Sequence, residues 1–358
     1  MGEILGLGLT HYPLLAVKDE YMSSLLRKTK RDPGIPDAEK DPASWPERMR
    51  AEWSDDRGLA AAAEHRAQLR AGLERCKQAV DEFKPDALIV FGDDQYENFR
   101  EEIIPPFCVL AYPDTTIEPF APMHELKLPN AWGLPEDTSF TMRTKPELAK
   151  SVARGLIESG FDMAYSYRPR EDIHFPHAIA NTQLYLDYEN AGTKFDYPIL
   201  PVLVNCYGEH VIARKGGMAK FADIAKGEDL DPPGPSPSRC FELGRALAKT
   251  LRAGPHRVAI VASSSWSHAF LNDKAWHLRP DLESDRNLYD ALVKGDVDTW
   301  LKVTTADLVG AGQQEMLNWF CLLGAMTEIG AELSWSSLVE TYIFNSDKCF
   351  AIYGEGGA

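Results

Sequence analysis

The chain has 358 residues, with 38 Lys and Arg against 54 Asp and Glu and a formal charge of −16, a balance that repels nucleic-acid phosphates and anionic membrane surfaces. Hydrophobic residues make up 44% and charged residues 26%, ordinary globular proportions that exclude a chain disordered or fibrous throughout. No apolar run approaches the ~18 residues of a membrane span, so the expected partners are small molecules or proteins, with no nucleic acid and no membrane.

Taken in chain order, "EILGLGLTH" reads as a first strand ending at His11; it has neither the basic start nor the cleavage site of a leader peptide. Residues 19–57 are charged, carry Pro33, Pro36, Pro42 and Pro46 with Trp45 and Trp53, and read as an excursion of short helical pieces that covers a site or forms a dimer contact. "GLAAAAEHRAQLRAGLERCKQAVDEF" is a strong helix stopped at Lys84-Pro85. "DALIVFGDD" is a second strand running into "FGDDQYENF", where two acids and an amide stand at its end.

"PPFCVLAY" predicts a third strand, "TKPELAKSVARGLIESGF" an amphipathic helix with Pro146 in its first turn, "DYPILPVLVNCYG" a fourth strand, "DPPGPSPS" a linker and "RCFELGRALAKTLRAG" a further helix. "HRVAIVASSSWSH" reads as a fifth strand ending at His268, residues 280–340 as helical, and "ETYIFNSDKCFAIYG" as the closing strand. Strands alternating with helices define an α/β domain with a largely parallel or mixed sheet. Chemistry in such sheets gathers at the carboxyl ends of strands, where His11, Asp93 to Gln95 and His268 all fall. The six cysteines (Cys76, Cys108, Cys206, Cys240, Cys321, Cys349) form no CxxC pair, which favours a reducing cytoplasm and argues against a thiolate zinc site.

Each of these polar residues also has a plain reading. His11 alone fits a strand-end histidine bonded to backbone, and Glu315, at the start of the apolar "EMLNWFCLLGAM", fits either an exposed first-turn acid or a ligand projecting inward. "IHFPHAIAN" supplies His174 and His177, one of them suited to a general base, although the intervening Pro176 keeps the spacing from being diagnostic of metal. "VASSSWSHAF" lacks the G-x-S-x-G elbow of a serine nucleophile, and "GLGLTH" fits neither a dinucleotide nor a Walker loop.

In order, "GLTHYPLL", "ALIVFGDDQYENF" followed by "IIPPF", "HAIANTQL", "YPILPVLVN", "PSPSRCFELGRAL", "SSWSHAF" and "QQEMLNWFCLLGAM" resemble the class III, LigB-type extradiol dioxygenase superfamily, which includes the catalytic β subunit of protocatechuate 4,5-dioxygenase. The resemblance spans nearly the whole chain. It implies a single LigB-like domain over 1–358, with a central mixed sheet flanked by helices. It also implies Fe(II) held by two histidines and a glutamate, opening the ring of a catecholic substrate with dioxygen. His11 and Glu315 match the first histidine and the glutamate; His268 matches a residue handling substrate hydroxyl or oxygen; His177, with His174 as the alternate alignment, matches the histidine that begins the family's helix.

The second iron-binding histidine has no counterpart. Gln95 stands at its position, with Asp93 on the same side of the strand and Asp94 on the other. Gln95 or an acid of the same turn is therefore expected to complete the shell. The superfamily also holds members without a working iron centre, the Memo proteins among them. Two other readings accordingly stand beside the dioxygenase: an iron-independent hydrolase, decarboxylase or lyase acting on an aromatic acid, and a non-catalytic binding protein. The family analogy further implies a homodimer, with residues 19–57 in place of a separate small subunit.

Overall fold

The computed structural model describes residues 2–170, 175–217 and 219–354. Ten strands lie in chain order: β1 Glu3–Leu9, β2 Ala87–Asp93, β3 Phe107–Leu110, β4 Thr115–Ile117, β5 Phe140–Met142, β6 Ala164–Ser166, β7 Ile199–Val204, β8 Arg257–Ser263, β9 Glu332–Val339 and β10 Lys348–Gly354. Eight of them form one mixed sheet in the order β6-β3-β7-β2-β8-β1-β10-β9, while β4 and β5 pair separately. At its centre β7, β2, β8 and β1 run parallel. Every residue of β2 is buried, as a strand covered by helices on both faces must be.

The parallel centre decides where polar residues meet. β1 and β8 run in register from Glu3↔Arg257 to Leu9↔Ser263, and β2 pairs with β7 up to Asp93↔Val204. The residues just past Leu9, Val204 and Ser263 therefore emerge at the same edge as Asp93.

The helix Met316–Ile329, which follows Glu315, lies against Pro237–Arg252 at glycine-to-backbone distance. A Cβ on Gly244 would fall 1.8 Å from the Cys321 carbonyl oxygen, and one on Gly324 would fall 1.9 Å from that of Phe241. Only hydrogen fits at either place, so the "ELG" of one helix and the "LLG" of the other fix the seat of the helix that begins beside Glu315.

Two expectations are corrected. The fifth strand stops at Ser263; residues 264–268 leave the sheet and only His268 bridges back, to Ser346. The stretch 280–340 is not helical throughout. Its last part is β9, an edge strand of exposed and partly covered residues ending at the buried Val339, and the helix before it ends at Gly330 in the left-handed region. β4, β5 and β6, three residues each, are too short for a sequence period to reveal.

The segment 19–57 folds into short helices packed on the body of the protein. Trp45 and Trp53 are buried edge to face. The Asp32 carboxylate accepts from the backbone N–H groups of Phe221 and Ala222, and Glu52 accepts from Thr341 Oγ1 and the Tyr342 N–H. Among the described residues no helix is long and apolar enough to cross a membrane.

Candidate metal centre

His11 is seated by the helix His177–Leu186. Asn181 donates to the His11 carbonyl at 2.9 Å, and Tyr185 OH donates to the next carbonyl, that of Tyr12, at 2.7 Å. These two side chains share a face through their four-residue spacing. His11 Nδ1 lies 2.9 Å from the Ser263 carbonyl, an acceptor only, so Nδ1 carries the proton. Nε2 therefore presents a lone pair, the tautomer of a ligating imidazole.

That lone pair faces two carboxylates: Nε2 is 3.6 Å from Asp93 Oδ1 and 3.5 Å from Glu315 Oε2. One donor atom from each of His11, Asp93 and Glu315 lies within 4.8 Å of the others, and all three residues are buried. Burial lowers the His11 pKa to about 4, against the opposing pull of Glu315, so the imidazole is neutral. Neither Asp93 oxygen has a well-formed hydrogen bond, with the Gln95 amide alongside.

The two acids differ because their surroundings differ. Glu315 would be raised by burial, but His268 and His11 together with donated hydrogen bonds hold it down at about 2. Its Oε1 accepts from Tyr207 OH at 2.8 Å and Gln95 Nε2 at 3.0 Å and faces His268 Nε2 at 3.2 Å; Oε2 accepts the Ser265 N–H at 3.1 Å. Asp93 has no such donors, and burial and the Glu315 charge push it well above the usual carboxylate range. A buried carboxyl left in this state is costly, and a cation between the three acceptors removes the cost.

Asp94, the other half of the acidic pair, turns away. Its carboxylate accepts from the backbone N–H groups of Glu97, Asn98 and Phe99, which folds the turn after β2. Gln95 is not among the three clustered donors: its amide nitrogen points at Glu315, so it serves the glutamate in place of offering its carbonyl.

His177 stands beside this cluster, its ring edge-on to His11 with centroids 4.9 Å apart. Its Nδ1 donates to Glu97 at 2.9 Å, while its buried Nε2 has no partner. Burial lowers its pKa, but Glu97, Asp93 and Glu315 outweigh that and raise it to about 9. His268 rests on Phe270 at 5.2 Å between ring centroids. His174 lies outside the described residues. The structure thus brings together His11, Asp93, Gln95, His177, His268 and Glu315.

Glu97 and Tyr207 were not anticipated. The signal for Tyr207 was present: it lies three residues past β7, which pairs with β2, so the strand-end rule applies to "NCY" as it does to "GLTH". Glu97 was hidden because a turn acid has no period to betray its direction.

Comparison with known proteins bears on the same residues. Residues 230–351 match the family described as the catalytic LigB subunit of aromatic ring-opening dioxygenase, a span that includes β8, His268 and Glu315. That match, together with curated relatives, supports a likeness to the class III, LigB-type extradiol dioxygenase superfamily. Among curated relatives, the 2,3-dihydroxyphenylpropionate/2,3-dihydroxicinnamic acid 1,2-dioxygenase 1 of Dechloromonas aromatica is 25% identical over 291 residues, 74% of this chain and 84% of that protein. The dioxygenase of the same substrates from Rhodococcus jostii is 24% identical over 286 residues, 73% and 82% of the two chains. The corresponding enzyme 2 of Pseudomonas putida is 28% identical over 196 residues, 55% and 48%.

Proposed function

We propose that the protein is a non-haem Fe(II) extradiol-type dioxygenase that opens the ring of a catecholic compound, with His11, Asp93 and Glu315 as its metal ligands. The observation that carries this reading is the convergence of three buried ligand atoms, His11 Nε2 and one oxygen from each acid, within 4.8 Å, with the imidazole proton on the far side of the ring. One imidazole and two carboxylates form a hard, oxygen-rich set that suits Fe(II) or Mn(II). Asp93 thereby takes the part of the family's second histidine from two residues earlier on the strand, and the two carboxylate charges match a divalent cation.

When bound, the iron would supply open positions at which a catecholate and dioxygen meet. The rest is the work of this chain's side chains. Nε2 of His177 is unpartnered and buried next to His11, positioned to take a proton from a substrate hydroxyl, with Glu97 holding its other nitrogen and stabilising the charge it gains. Glu97 is the main group raising that imidazole, ahead of Asp93 and Glu315, and a cation that neutralises the latter two would lower its affinity for a proton. His268, between Glu315 and Phe270, is the second proton-handling group.

The segment 19–57 serves as a lid in this reading. Leu25, Thr29 and Pro33 of that segment, with Phe270 and His277, enclose a cavity of about 220 Å³, and Phe270 is its shared wall with His268. Catecholic acids of the kind for which the curated relatives are named are the first substrates to try. The test is anaerobic loading of the protein with Fe(II), followed by oxygen uptake across a panel of catechols, gallates and aminophenols. Stoichiometric iron and uptake with at least one ring substrate is the expected result; neither iron nor uptake overturns the reading.

A further inference from the structure

Behind the metal centre two fully buried acids flank the Ser267 backbone: Asp285, on the helix Leu282–Lys294, and Asp347, just before β10. Asp285 accepts the Ser267 N–H with both oxygens at 3.1 Å and Gln313 Nε2 with Oδ1 at 2.6 Å. Asp347 Oδ1 accepts the Thr341 N–H at 2.8 Å. Asp347 Oδ2 accepts from no N–H or O–H group of the described residues, and the Asp347 N–H donates at 3.3 Å to the carbonyl of Ser267, the residue whose N–H Asp285 accepts, so both acids meet at one residue. Carboxylates are acceptors only, so a hydrogen bond between the two requires a proton.

The pair ties together three segments that deliver the site. Ser267 adjoins His268, Gln313 lies two residues before Glu315, and Thr341 and Asp347 frame the loop that receives the others. In the same region the Trp266 N–H donates to the Asp347 carbonyl at 2.9 Å and the His268 N–H to the Gly312 carbonyl at 2.7 Å. We propose that Asp285 and Asp347 share a single proton, and that this dyad is the positioning element that sets the His268 loop against the Glu315 turn. The shared proton stands independently of the metal reading; only the role of what is positioned rests on it.

The neighbouring charges do not dissolve the pair. Lys348 adjoins Asp347 but spends its ammonium on the Phe344 and Ser346 carbonyls and on His65 Nε2. Glu340 is held by Arg48 and Arg286, and Glu52 by Thr341 and the Tyr342 N–H; the Cys349 thiol is raised by burial and by Asp285. Burial raises both acids, Asp285 well above the carboxylate range and Asp347 to about 7. Neighbouring buried carboxyls raise each other's affinity for a proton, and one proton common to both relieves the repulsion.

Asp285→Asn tests the dyad because it mimics the protonated acid: its amide oxygen still accepts from Ser267 and Gln313, and its NH₂ donates to Asp347. Asp347→Asn does the same from the other side, and Asp285→Ala removes the link. In infrared spectra of the metal-free full chain near neutral pH, wild type is expected to show a carboxylic-acid carbonyl band that both Asn variants lose and that Asp93→Asn retains. The His268 imidazole resonances are expected to move in Asp285→Ala and return to wild-type positions in Asp285→Asn, with Mn(II) affinity about 10- to 100-fold weaker in the Ala variant alone. The pH dependence adds a readout that simple packing would not move. An acid whose pKa is raised on folding contributes stability that is lost as pH rises toward the folded value, so Asp285→Asn is expected to flatten the fall in melting temperature from about pH 4 to pH 7.

An unchanged infrared band in both Asn variants, or an Asn variant as disturbed as the Ala variant, overturns the shared proton; an unmoved His268 in Asp285→Ala overturns the positioning. If Asp285→Ala does not fold, Gln313→Leu, which cuts one strand of the same tie, takes its place in the His268 measurement. Absence of Mn(II) binding in wild type counts against the metal reading, while the infrared band and the His268 resonances still decide the dyad.

Discussion

His11 Nε2 turns its lone pair toward Asp93 Oδ1 at 3.6 Å, because the Ser263 carbonyl has drawn the only imidazole proton to the far side of the ring. Acceptors in a buried site repel unless a proton or a cation lies between them. Asp93→Asn keeps the shape but halves the carboxylate charge. We expect it to weaken Fe(II) and Mn(II) binding by at least about 10-fold, the scale seen even when groups outside a metal's ligand set are changed, and to leave folding intact. Anaerobic metal titration followed by thermal melting checks both.

Gln95 acts on Glu315. Gln95→Leu removes one of the donors to Oε1 and is expected to lower metal affinity about 10-fold, with Tyr207 and the Ser265 N–H still in place. Gln95→His is the sharper case. If Asp93 already fills the second ligand position, the added imidazole brings no gain in affinity in wild type and a gain only when combined with Asp93→Asn; a gain in the wild-type background would return the ligand role to position 95.

The His177–Glu97 pair should separate binding from turnover. His177→Asn is expected to retain metal binding while the ring-opening rate drops by about 10²- to 10⁴-fold, the span ascribed to a positioned acid–base group. Glu97→Gln keeps a hydrogen bond to Nδ1 but removes the charge, so the pH at which activity rises on the acid side should move down. Rate against pH for the three proteins measures both.

These expectations also mark what the chain made readable. His11, Asp93 and His268 were legible because parallel strands end together, and Glu315 because an acid at the head of "MLNWFCLLGAM" is conspicuous. Asp93 and Asp94 could be separated by strand alternation alone, and they point as alternation demands. What alternation could not give was the direction of Gln95, which depends on where Glu315 arrives from a distant helix. That arrival is set by the backbone contact at Gly244 and Gly324, a relation between two helices that neither sequence period contains. The Asp285–Asp347 pair was equally hidden: one acid sits in a surface-like amphipathic helix and the other in "NSDKCF", and only the closing strand beside β1 brings them together.

The last prediction concerns Lys348, buried completely with its ammonium 3.7 Å from the centre of the Tyr12 ring and donating to two carbonyls and to His65 Nε2. His65 must be neutral to accept that bond. Burial, with Lys348 and Arg66 adding to it, lowers its pKa well below 6.5. The unfolded chain therefore takes up a proton near pH 6.5 that the folded chain refuses, and stability present above that pH is lost as pH falls below it, by up to about 1.4 kcal/mol per pH unit for each such group. His11, lowered to about 4, adds to the same slope in the metal-free protein. Replacing His65 by Gln keeps an acceptor for Lys348 and removes the titration, so the melting temperature of His65→Gln should fall less steeply than wild type between about pH 6.5 and pH 5. Parallel slopes for the two proteins would mean that His65 is protonated in the fold and that Lys348 gives up its own proton instead.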